Sequence, residues 1–367
     1  MGSRRRVLIN LSMVDKKPTG VGNVALNFIN ELQKYPEKDN ILVLSPVTIE
    51  NNTIPQKKIS QLVRNDKYPK IAGLARFLWN QIFFTLYGLK YDLCYCPTTH
   101  GSLFLRNQVI TIHDVISLNF PKNHKLQSLY FKYIVKIFVQ RAKYIITISE
   151  FTKKEIVRFY GCSDDKIKII HNSYDKQAFR KIDLSNQDFF LHNKLKALNK
   201  DRFLLVVGAA YSHKNIETIL KAFSNSKTRT STALVIVGGV NNYLVSLQEI
   251  CKDLKITEDV LFLHYVSQDE LVQLYNKADL FVYLSLYEGF GIPLLEAMAC
   301  ECPILTSDIA VFHEVCKDEV MYIDPLASDE VAKVLDKQHP RKKYSANERF
   351  SWAKSAEVLN SVLNKYK

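Results

Sequence analysis

Short runs of apolar and β-branched residues alternate with longer helical patterns along almost the whole chain, and this alternation constrains the fold more than any other feature. Runs such as Val7–Asn10 and Ile41–Ser45 are apolar at nearly every position rather than at alternate positions. Such runs are typical of parallel strands whose two faces are both covered by helices. Helical patterns, for example at Glu150–Tyr160, lie between them. The sequence therefore predicts an α/β fold with doubly wound parallel sheets.

The alternation stops once, at residues 176–200, and then resumes. A chain of 367 residues has the length of two domains, because domains commonly have roughly 100–200 residues. We therefore predict two Rossmann-like domains that face a central cleft, an N-terminal one at residues 1–185 and a C-terminal one at residues 186–346. A last helical pattern at residues 347–367 is predicted to complete the N-terminal domain.

Charge is distributed unequally between the two predicted domains. The chain has 50 Lys and Arg residues against 37 Asp and Glu, a formal net charge of +13. Residues 1–185 contain 29 basic and 14 acidic residues, whereas residues 186–367 contain 21 and 23. We therefore expect the N-terminal domain to meet an anionic partner; nucleic acid, an anionic membrane surface and a phosphorylated substrate all fit the charge. A hydrophobic content of 47% excludes a disordered chain.

The seven cysteines lack the spacing of a zinc site or of a disulfide framework, which favours a reducing cytoplasmic environment. Because the strand pattern begins at Val7, we expect no secretion signal before the first predicted strand. The charge-free apolar stretch at residues 77–89 is shorter than the roughly 20 residues that span a membrane. We expect a cytoplasmic protein without a metal site or a bound cofactor.

Ligands of parallel α/β sheets bind at the carboxyl ends of the strands, where loops meet helix N-termini. After the first strand, Gly20 and Gly22 let the backbone approach an anion, with a flexible turn as the alternative. No acidic residue ends the second strand, which disfavours a dinucleotide at this loop. His113 and Asp114 stand at the end of another strand. The sequence predicts that this pair holds the His113 imidazole in one tautomer, facing a substrate; a structural histidine is the alternative.

Two loops of the C-terminal half carry charged residues that packing does not require. Lys214 stands at the start of a helical pattern, where the helix dipole disfavours positive charge. We predict that Lys214 and the helix N–H groups share an anion such as a diphosphate, and a solvated lysine is the alternative. In the second loop, Glu288 precedes residues 289–292 and Glu296 is placed in the first helical turn. Carboxylates there suit the hydroxyls of a sugar or ribose, and the N–H groups between them suit an anion.

The Glu-x7-Glu spacing of Glu288 and Glu296, with its flanks, resembles the signature of the family 4 retaining glycosyltransferases of bacterial polysaccharide and O-antigen synthesis. These enzymes have the GT-B fold of two Rossmann-like domains. The other loops resemble family segments in the same order along the chain. The first glycine loop, the central His-Asp at residues 112–114 and the diphosphate loop at residues 207–215 each have a counterpart.

The resemblance implies a role for each of these loops. Glu296 would bind the ribose hydroxyls of the donor, Glu288 the hydroxyls of the transferred sugar, and Lys214 would balance the leaving diphosphate. The implied catalytic residues are His113, Lys214 and Glu288. The implied donor-binding residues are Gly20, Gly22, Gly208, His213, Val266, Gly289, Phe290, Gly291, Ile292 and Glu296.

Three departures from the family pattern stand out. Many members have Arg in the diphosphate loop where this chain has His213 or Ala209, which reduces the charge of the predicted phosphate clamp. Residues 171–174 differ from the usual Pro-Asn-Gly-Val. After the second glutamate the usual Cys-Gly is replaced by Cys300-Glu301.

The resemblance implies a retaining transfer of a hexose, glucose or mannose, from a nucleoside-diphosphate sugar to a hydroxyl of a glycan or a polyprenyl-diphosphate-linked acceptor. Family usage favours a UDP-sugar over a GDP-sugar. Because Asp-x-Asp does not occur in the chain, basic residues and helix ends are predicted to hold the diphosphate without a metal. A nucleotide-sugar epimerase on the same scaffold and a basic nucleic-acid-binding protein are the alternative functions.

The N-terminal domain of GT-B enzymes generally binds the acceptor, so its positive charge suits that side of the reaction. Residues 122–136 combine cations with aromatic residues at helical spacing. Together with residues 77–89 they are predicted to make peripheral contact with the inner face of an anionic membrane. An ordinary helix with a solvated basic face is the alternative.

Overall fold

The computed structural model describes residues 5–18, 20–122, 125–184 and 189–364, and the chain forms two compact units. Unit 1 consists of Met1–Asn172 and Phe350–Lys367, and unit 2 consists of Ser173–Arg349. The predicted division between residues 185 and 186 lies outside the described residues, and the observed division is at 172/173 instead. The difference has a local cause, because the segment after Asn172 bonds to unit 2. The Asn347 amide donates to the Tyr174 hydroxyl at 3.0 Å, and the Ile182 N–H donates to Asn276 Oδ1 at 3.0 Å.

The described part of unit 1 contains one parallel sheet of seven strands in the order β3-β2-β1-β4-β5-β6-β7. The strands are β1 (Val7–Asn10), β2 (Ile41–Ser45), β3 (Gln56–Lys58), β4 (Leu93–Cys96), β5 (Gln108–Ile112), β6 (Tyr144–Thr147) and β7 (Ile167–Ile169). β1, β4 and β5 are buried at every residue. These runs are apolar at consecutive positions because helices cover both faces of the sheet.

Unit 1 also contains helices on the connections between its strands. They are α1 (Val21–Leu32), α2 (Ala72–Trp79), α3 (Thr85–Gly88), α4 (Ile116–Asn119), α5 (Lys125–Leu129), α6 (Lys136–Arg141) and α7 (Glu150–Tyr160). Two π-helical segments, Asn80–Phe84 and Tyr130–Val135, join α2 to α3 and α5 to α6. The C-terminal helix Trp352–Asn364 belongs to this unit, and its Trp352 ring meets Phe28 of α1 edge to face at 5.5 Å.

Unit 2 contains a second parallel sheet, with six strands among its described residues in the order β10-β9-β8-β11-β12-β13. The strands are β8 (Arg202–Val207), β9 (Thr232–Val237), β10 (Val260–Leu263), β11 (Leu280–Tyr283), β12 (Ile304–Ser307) and β13 (Met321–Ile323). The helices are α8 (His192–Ala197), α9 (Ile216–Asn225), α10 (Asn242–Asp253), α11 (Gln268–Lys277), α12 (Ile292–Ala299), α13 (Ala310–Cys316) and α14 (Ser328–Leu335), so that the C-terminal helix of unit 1 is α15.

Both sheets have the doubly wound arrangement that the sequence predicts. In each sheet the strand order reverses beside the first strand, between β1 and β4 in unit 1 and between β8 and β11 in unit 2. Such a reversal leaves a crevice at the carboxyl ends of the two strands, where ligands of open α/β sheets bind. Over the described residues, no helix is both long enough and apolar enough to cross a membrane.

Candidate active site

The loop after β8 is shaped by two residues with left-handed backbone conformations. Gly208 has φ +93° and Asn215 has φ +56°, which glycine and asparagine adopt at less cost than other residues. The Asn215 amide donates to the carbonyls of Leu284 and Pro325, at 3.1 and 2.7 Å, and so fastens the start of α9 to the end of β11. This geometry places Lys214 at the reversal of strand order in unit 2.

Lys214, Glu288 and Tyr283 form a closed triangle at this reversal. Lys214 Nζ lies 2.5 Å from Glu288 Oε1 and donates to the Tyr283 hydroxyl at 3.0 Å, and that hydroxyl donates to Glu288 Oε1 at 2.8 Å. The side chains of Lys214 and Glu288 are only 16% and 15% exposed. A positive and a negative charge therefore neutralise each other in a largely buried site.

The pair keeps both of its members ionised. Burial is the largest single influence on Lys214 and lowers its pKa, but the Glu288 carboxylate and the Tyr283 hydroxyl together outweigh burial and raise the pKa. Burial is likewise the largest single influence on Glu288 and raises its pKa, but Lys214, with smaller contributions from neighbouring groups, outweighs burial and lowers the pKa. The site thus carries a permanent ammonium group and a permanent carboxylate at neutral pH.

His213 contributes its backbone as well as its ring to this loop. Its carbonyl accepts the Leu286 N–H at 2.8 Å, which joins the loop after β8 to the loop after β11. Its ring is buried and stacks on Tyr211, with centroids 5.6 Å apart. The histidine therefore occupies the place of the family arginine as a packed ring beside Lys214.

The glycine segment after Glu288 leads directly into α12. Gly291 has φ +116°, and a Cβ atom there would approach Leu294 and Phe312 to 3.1 and 3.2 Å. The helix begins at Ile292, with Pro293 in its first turn. Pro293 has no N–H and the Leu294 N–H donates to the Gly291 carbonyl at 3.0 Å, so it is mainly the dipole of this helix end that favours an anion. Gly289 and the buried Phe290 connect this helix start to Glu288.

The sequence predicted Glu296 in the first helical turn, and this prediction is wrong. Glu296 lies one turn further along α12. The first turn of α12 holds no acidic residue, because the helix starts at Ile292, four residues before Glu296. The Tyr275 hydroxyl donates to Glu296 Oε2 at 3.2 Å. Burial raises the pKa of Glu296 to about 7, and the bond from Tyr275 opposes this only in part.

Val266 lies in the loop after β10, immediately before the start of α11. Ser267 caps that helix reciprocally with Glu270: the Ser267 hydroxyl accepts the Glu270 N–H at 3.2 Å, and the Glu270 carboxylate accepts the Ser267 N–H at 2.7 Å. The cap holds the backbone of Val266 at the carboxyl edge of the sheet, next to the 87% exposed Tyr265.

The remaining predicted residues belong to unit 1. Gly20, with φ +48°, precedes the first residue of α1, and a Cβ atom at Gly22 would come within 3.0 Å of Pro18. His113 follows β5, and its Nε2 atom lies 2.9 Å from the Pro97 carbonyl. Burial lowers the pKa of His113. The ring is therefore neutral with its proton on Nε2, since a carbonyl only accepts, and its Nδ1 is an acceptor.

The tautomer of His113 is thus set by Pro97, whereas the sequence pointed to Asp114. The Asp114 carboxylate accepts the Ile116 N–H at 3.0 Å. In unit 2 the structure brings Lys214 and Glu288 together, with Gly208, His213 and the start of α12 in the adjoining loops.

Sequence reasoning missed several polar residues at the two strand reversals. In unit 2 these are the hydroxyl partners Tyr275 and Tyr283. In unit 1 they are Asn10, Arg76, Asn80 and His100, which form a buried polar group near the ends of β1 and β4. A signal existed in the sequence, because Asn10 ends a wholly apolar strand run and Arg76 and Asn80 interrupt an apolar helix pattern. Across the described ranges, no three His, Cys, Asp or Glu side chains are grouped closely enough to hold a metal ion.

Family models match both halves of the chain. Residues 18–178 match the model described as Glycosyltransferase Family 4, and residues 187–350 match the one described as Glycosyl transferases group 1. The chain is 33% identical over 330 residues to the O-antigen chain mannosyltransferase RfbU of Salmonella typhimurium, which covers 87% of each chain. It is 29% identical over 246 residues to the O-antigen chain mannosyltransferase B of Escherichia coli, covering 64% of this chain and 62% of that one.

Solved structures share the fold at much lower identity. HepE of Anabaena, solved in complex with UDP and glucose, has a TM-score of 0.73 at 17% identity and covers 98% of this chain and 99% of its own. WaaG, a glycosyltransferase involved in lipopolysaccharide biosynthesis, has a TM-score of 0.64 at 16% identity, covering 96% and 94%. The two parallel sheets therefore have the GT-B fold. From the two family models and the similarity to RfbU over most of both chains, this chain belongs to the family 4 glycosyltransferases.

Proposed function

We propose that this glycosyltransferase moves a hexosyl unit from a nucleoside-diphosphate sugar to a hydroxyl of a glycan or lipid-linked acceptor, with retention at the anomeric carbon. The observation that carries the proposal is the buried Lys214–Glu288 ion pair at the strand reversal of unit 2. A ligand with a diphosphate next to sugar hydroxyls suits this pair, because phosphate oxygens take up the ammonium and hydroxyls donate to the carboxylate.

In the proposed reaction, the bond between the anomeric carbon and the diphosphate breaks, and a bond from that carbon to the acceptor oxygen forms. The acceptor proton passes to an oxygen of the leaving phosphate. Lys214 and the N-terminal end of α12 stabilise the negative charge that develops on the diphosphate, and this preorganised electrostatic effect is usually the largest in catalysis. As the diphosphate engages Lys214 Nζ, a Glu288 oxygen is released for a sugar hydroxyl. Glu296 takes the ribose hydroxyls.

The sugar in this proposal is mannose or glucose. The relatives RfbU and mannosyltransferase B are both named mannosyltransferases, which supports mannose over glucose in this proposal. HepE was solved with UDP and glucose, but at 17% identity it bears on the fold alone. Both relatives are named for the O-antigen chain, which supports an acceptor in polysaccharide synthesis.

The test is a transfer and hydrolysis assay with UDP-mannose, UDP-glucose, GDP-mannose and GDP-glucose as donors. The anomeric configuration of each product is determined by NMR. We expect one donor to be consumed with retention, in the presence of EDTA as well as without it. Lys214→Ala should abolish turnover, whereas the matched change Lys221→Ala, on the exposed face of α9, should not. Epimerised nucleotide sugar without an acceptor, or full activity of Lys214→Ala, would refute the proposal.

The proposed acceptor side includes a peripheral contact of unit 1 with the inner face of an anionic membrane. Large apolar side chains are exposed along the helical segment from α2 to α3, at a spacing of three or four residues. This apolar stripe consists of Ile71, Leu74, Leu78, Ile82, Leu86 and Leu89, each 49–69% exposed. Leu126, Leu129 and Tyr133 repeat the spacing on the segment from α5 to α6 and are 53–84% exposed.

The distribution of charge supports an anionic membrane as the partner of these exposed rows. Residues 67–91 and 115–149 contain no Asp or Glu at all, while exposed lysines such as Lys70, Lys90 and Lys132 accompany the apolar side chains. Apolar rows with exclusively positive neighbours suit the interface of an anionic bilayer, where each lysine near the surface contributes about 1 kcal/mol. A protein partner would not require such a uniform sign.

A further inference from the structure

Polar side chains at the strand reversal of unit 1 form a largely buried cluster to which the family resemblance assigns no role. The Asn10 side chain, at the end of β1, donates to Asn80 Oδ1 at 2.9 Å and to the His100 carbonyl at 3.0 Å. His100 follows β4, and its Nδ1 atom lies 2.8 Å from the Thr98 hydroxyl. These bonds join the ends of β1 and β4 to the helical segment that carries Asn80.

Two buried hydrogen-bond donors on that segment have no acceptor. Arg76 Nε and Asn80 Nδ2 are both inaccessible to solvent and unpartnered. The two residues are four positions apart on a continuous helical path, since the Asn80 N–H bonds to the Arg76 carbonyl, so they share one face. Leaving a buried donor unsatisfied costs about 1–3 kcal/mol, so two on one face call for an acceptor that binds there.

The orientation of the Asn80 amide follows from its neighbours. Asn10 Oδ1 accepts the Ser12 N–H at 3.0 Å, so the Asn10 amide nitrogen is the atom that faces Asn80. Asn80 must therefore present its oxygen to Asn10, and its own amide nitrogen is the unsatisfied donor. An exchange of the two Asn80 atoms would place two donors against each other.

The crevice also carries positive charge that its own side chains do not neutralise. Arg76 is 5% exposed, and its guanidinium donates to the Val63 carbonyl at 2.8 Å rather than to a carboxylate. Burial lowers the pKa of Arg76 by more than the Asp15 carboxylate, the next influence, raises it. The Asp15 carboxylate, whose Oδ1 accepts the Asn65 N–H at 2.8 Å, keeps its charge and offsets that of Arg76 only in part. Burial, reinforced by Arg76, lowers the pKa of His100 to about 3, so this imidazole is neutral.

We propose that Arg76 and Asn80 bind a phosphoryl oxyanion at the strand reversal of unit 1. The two unsatisfied donors lack acceptor oxygens, and the guanidinium lacks a negatively charged partner. A phosphate group supplies both. That the phosphate is the diphosphate of a lipid-linked acceptor rests on the proposed function. The site itself does not, since it is defined by groups within unit 1. The apolar stripe and Arg76 lie on one helix, so a helix at a membrane surface would hold the site near a lipid-borne phosphate.

The test measures binding rather than transfer, so that it succeeds or fails independently of the proposed reaction. Geranyl diphosphate, a soluble prenyl diphosphate, is titrated into the full chain carrying Lys214→Ala, which removes the cation of the unit 2 site. We expect binding that the additional change Arg76→Met weakens roughly tenfold or more, as for loss of a charge-assisted bond. Arg106→Met, at an exposed arginine of the same unit, is the control for general electrostatic attraction and should leave the affinity unchanged.

A second arm distinguishes the two sources of phosphate. If Arg76→Met weakens geranyl diphosphate, the acceptor supplies the group; if it weakens UDP or GDP in the otherwise unaltered chain, the donor supplies it. Equal affinities for both ligand types in Arg76→Met and parent proteins would overturn the site.

Thermal unfolding separates binding from a structural role. Arg76→Met also removes the bond to the Val63 carbonyl, so a modest fall in the midpoint is expected together with the loss of affinity. A lowered midpoint with affinity unchanged would identify Arg76 as purely structural and would overturn the site. Arg76→Lys keeps the charge but not the fork of donors, and we expect intermediate affinity if Arg76→Met does not fold.

Discussion

Lys214 Nζ lies 2.5 Å from Glu288 Oε1, although the two residues are 74 positions apart, and the Tyr283 hydroxyl bonds to both. The loops after β8 and β11 meet because these two strands are parallel neighbours in the sheet. Each of these two charges would be unfavourable to bury by itself, and their pairing stabilises both in a largely buried site. The pair explains why a lysine is tolerated beside a helix start that disfavours positive charge.

Removal of one member of this pair is expected to be costly, because it leaves the other charge buried without its partner. Lys214→Met should lower the free energy of unfolding by about 3 kcal/mol, and Lys214→Met/Glu288→Gln should restore most of that loss while transfer stays absent. Urea unfolding at pH 7 measures both. Lys252→Met, in the exposed pair with Glu249, is the control and should leave stability nearly unchanged. A double variant as unstable as the single one would contradict the pairing.

The raised pKa of Glu296 predicts a pH-dependent stability. Its pKa is about 7 in the folded chain against a usual 4.5, so the protonated form is favoured by folding. The stabilisation is complete below pH 4.5 and is lost as the pH rises to about 7. Glu296→Gln cannot ionise, so between pH 4.5 and 8 it should gain up to about 3 kcal/mol relative to the wild type. Urea unfolding at both pH values tests this, and parallel profiles would rule it out.

Gly291 is expected to tolerate no side chain. Its φ of +116° and the approach of Leu294 and Phe312 mean that Gly291→Ala strains the start of α12, at a cost of about 2 kcal/mol. Transfer should fall as well, because the helix end that meets the diphosphate moves. Gly239→Ala is the control, since nothing lies within 4 Å of a Cβ there. The two variants are compared by thermal unfolding and initial rates, and equal stabilities would contradict the argument.

Glu301 offers the opposite change. It stands where the family usually has glycine, and its φ of +54° is the left-handed conformation that glycine adopts freely. Glu301→Gly should therefore raise the free energy of unfolding by about 1 kcal/mol, measured in urea, without changing the rate of transfer. Lys252→Gly, within α10, should lower stability and serves as the contrast. A destabilised Glu301→Gly protein would show that the glutamate side chain has a structural contact of its own.

Membrane contact through the apolar stripe is tested by co-sedimentation with phosphatidylglycerol–phosphatidylcholine vesicles. We expect the wild-type chain to sediment at low salt, and less so at high salt, because screening weakens the attraction of its lysines. Leu78→Glu/Ile82→Glu should abolish sedimentation. Val245→Glu changes an equally exposed apolar residue of unit 2 and should have no effect. Binding to neutral vesicles alone, or unchanged binding of the double variant, would refute the proposed contact.

The sequence was sufficient for the features that depend on local pattern. Apolar runs identified the strands β1 and β2 at their observed limits, because a strand covered on both faces is apolar at nearly every position. Loop composition located Lys214, Glu288 and the glycines between Glu288 and α12. Two edge strands escaped detection: β3 (Gln56–Lys58) is polar and only three residues long, and β13 (Met321–Ile323) is equally short.

Tertiary structure decided which of these residues meet. That Lys214 neutralises Glu288, that Pro97 sets the tautomer of His113, and that Tyr275 bonds Glu296 all depend on which strands become neighbours. Because α12 starts at Ile292, Glu296 lies in its second turn. Because Tyr174 bonds to Asn347 of unit 2, the boundary between the units lies at residue 172. The unsatisfied donors of Arg76 and Asn80 could be found only once their surroundings were known, because a polar residue in an apolar helix pattern reveals its partners only when the helix is packed.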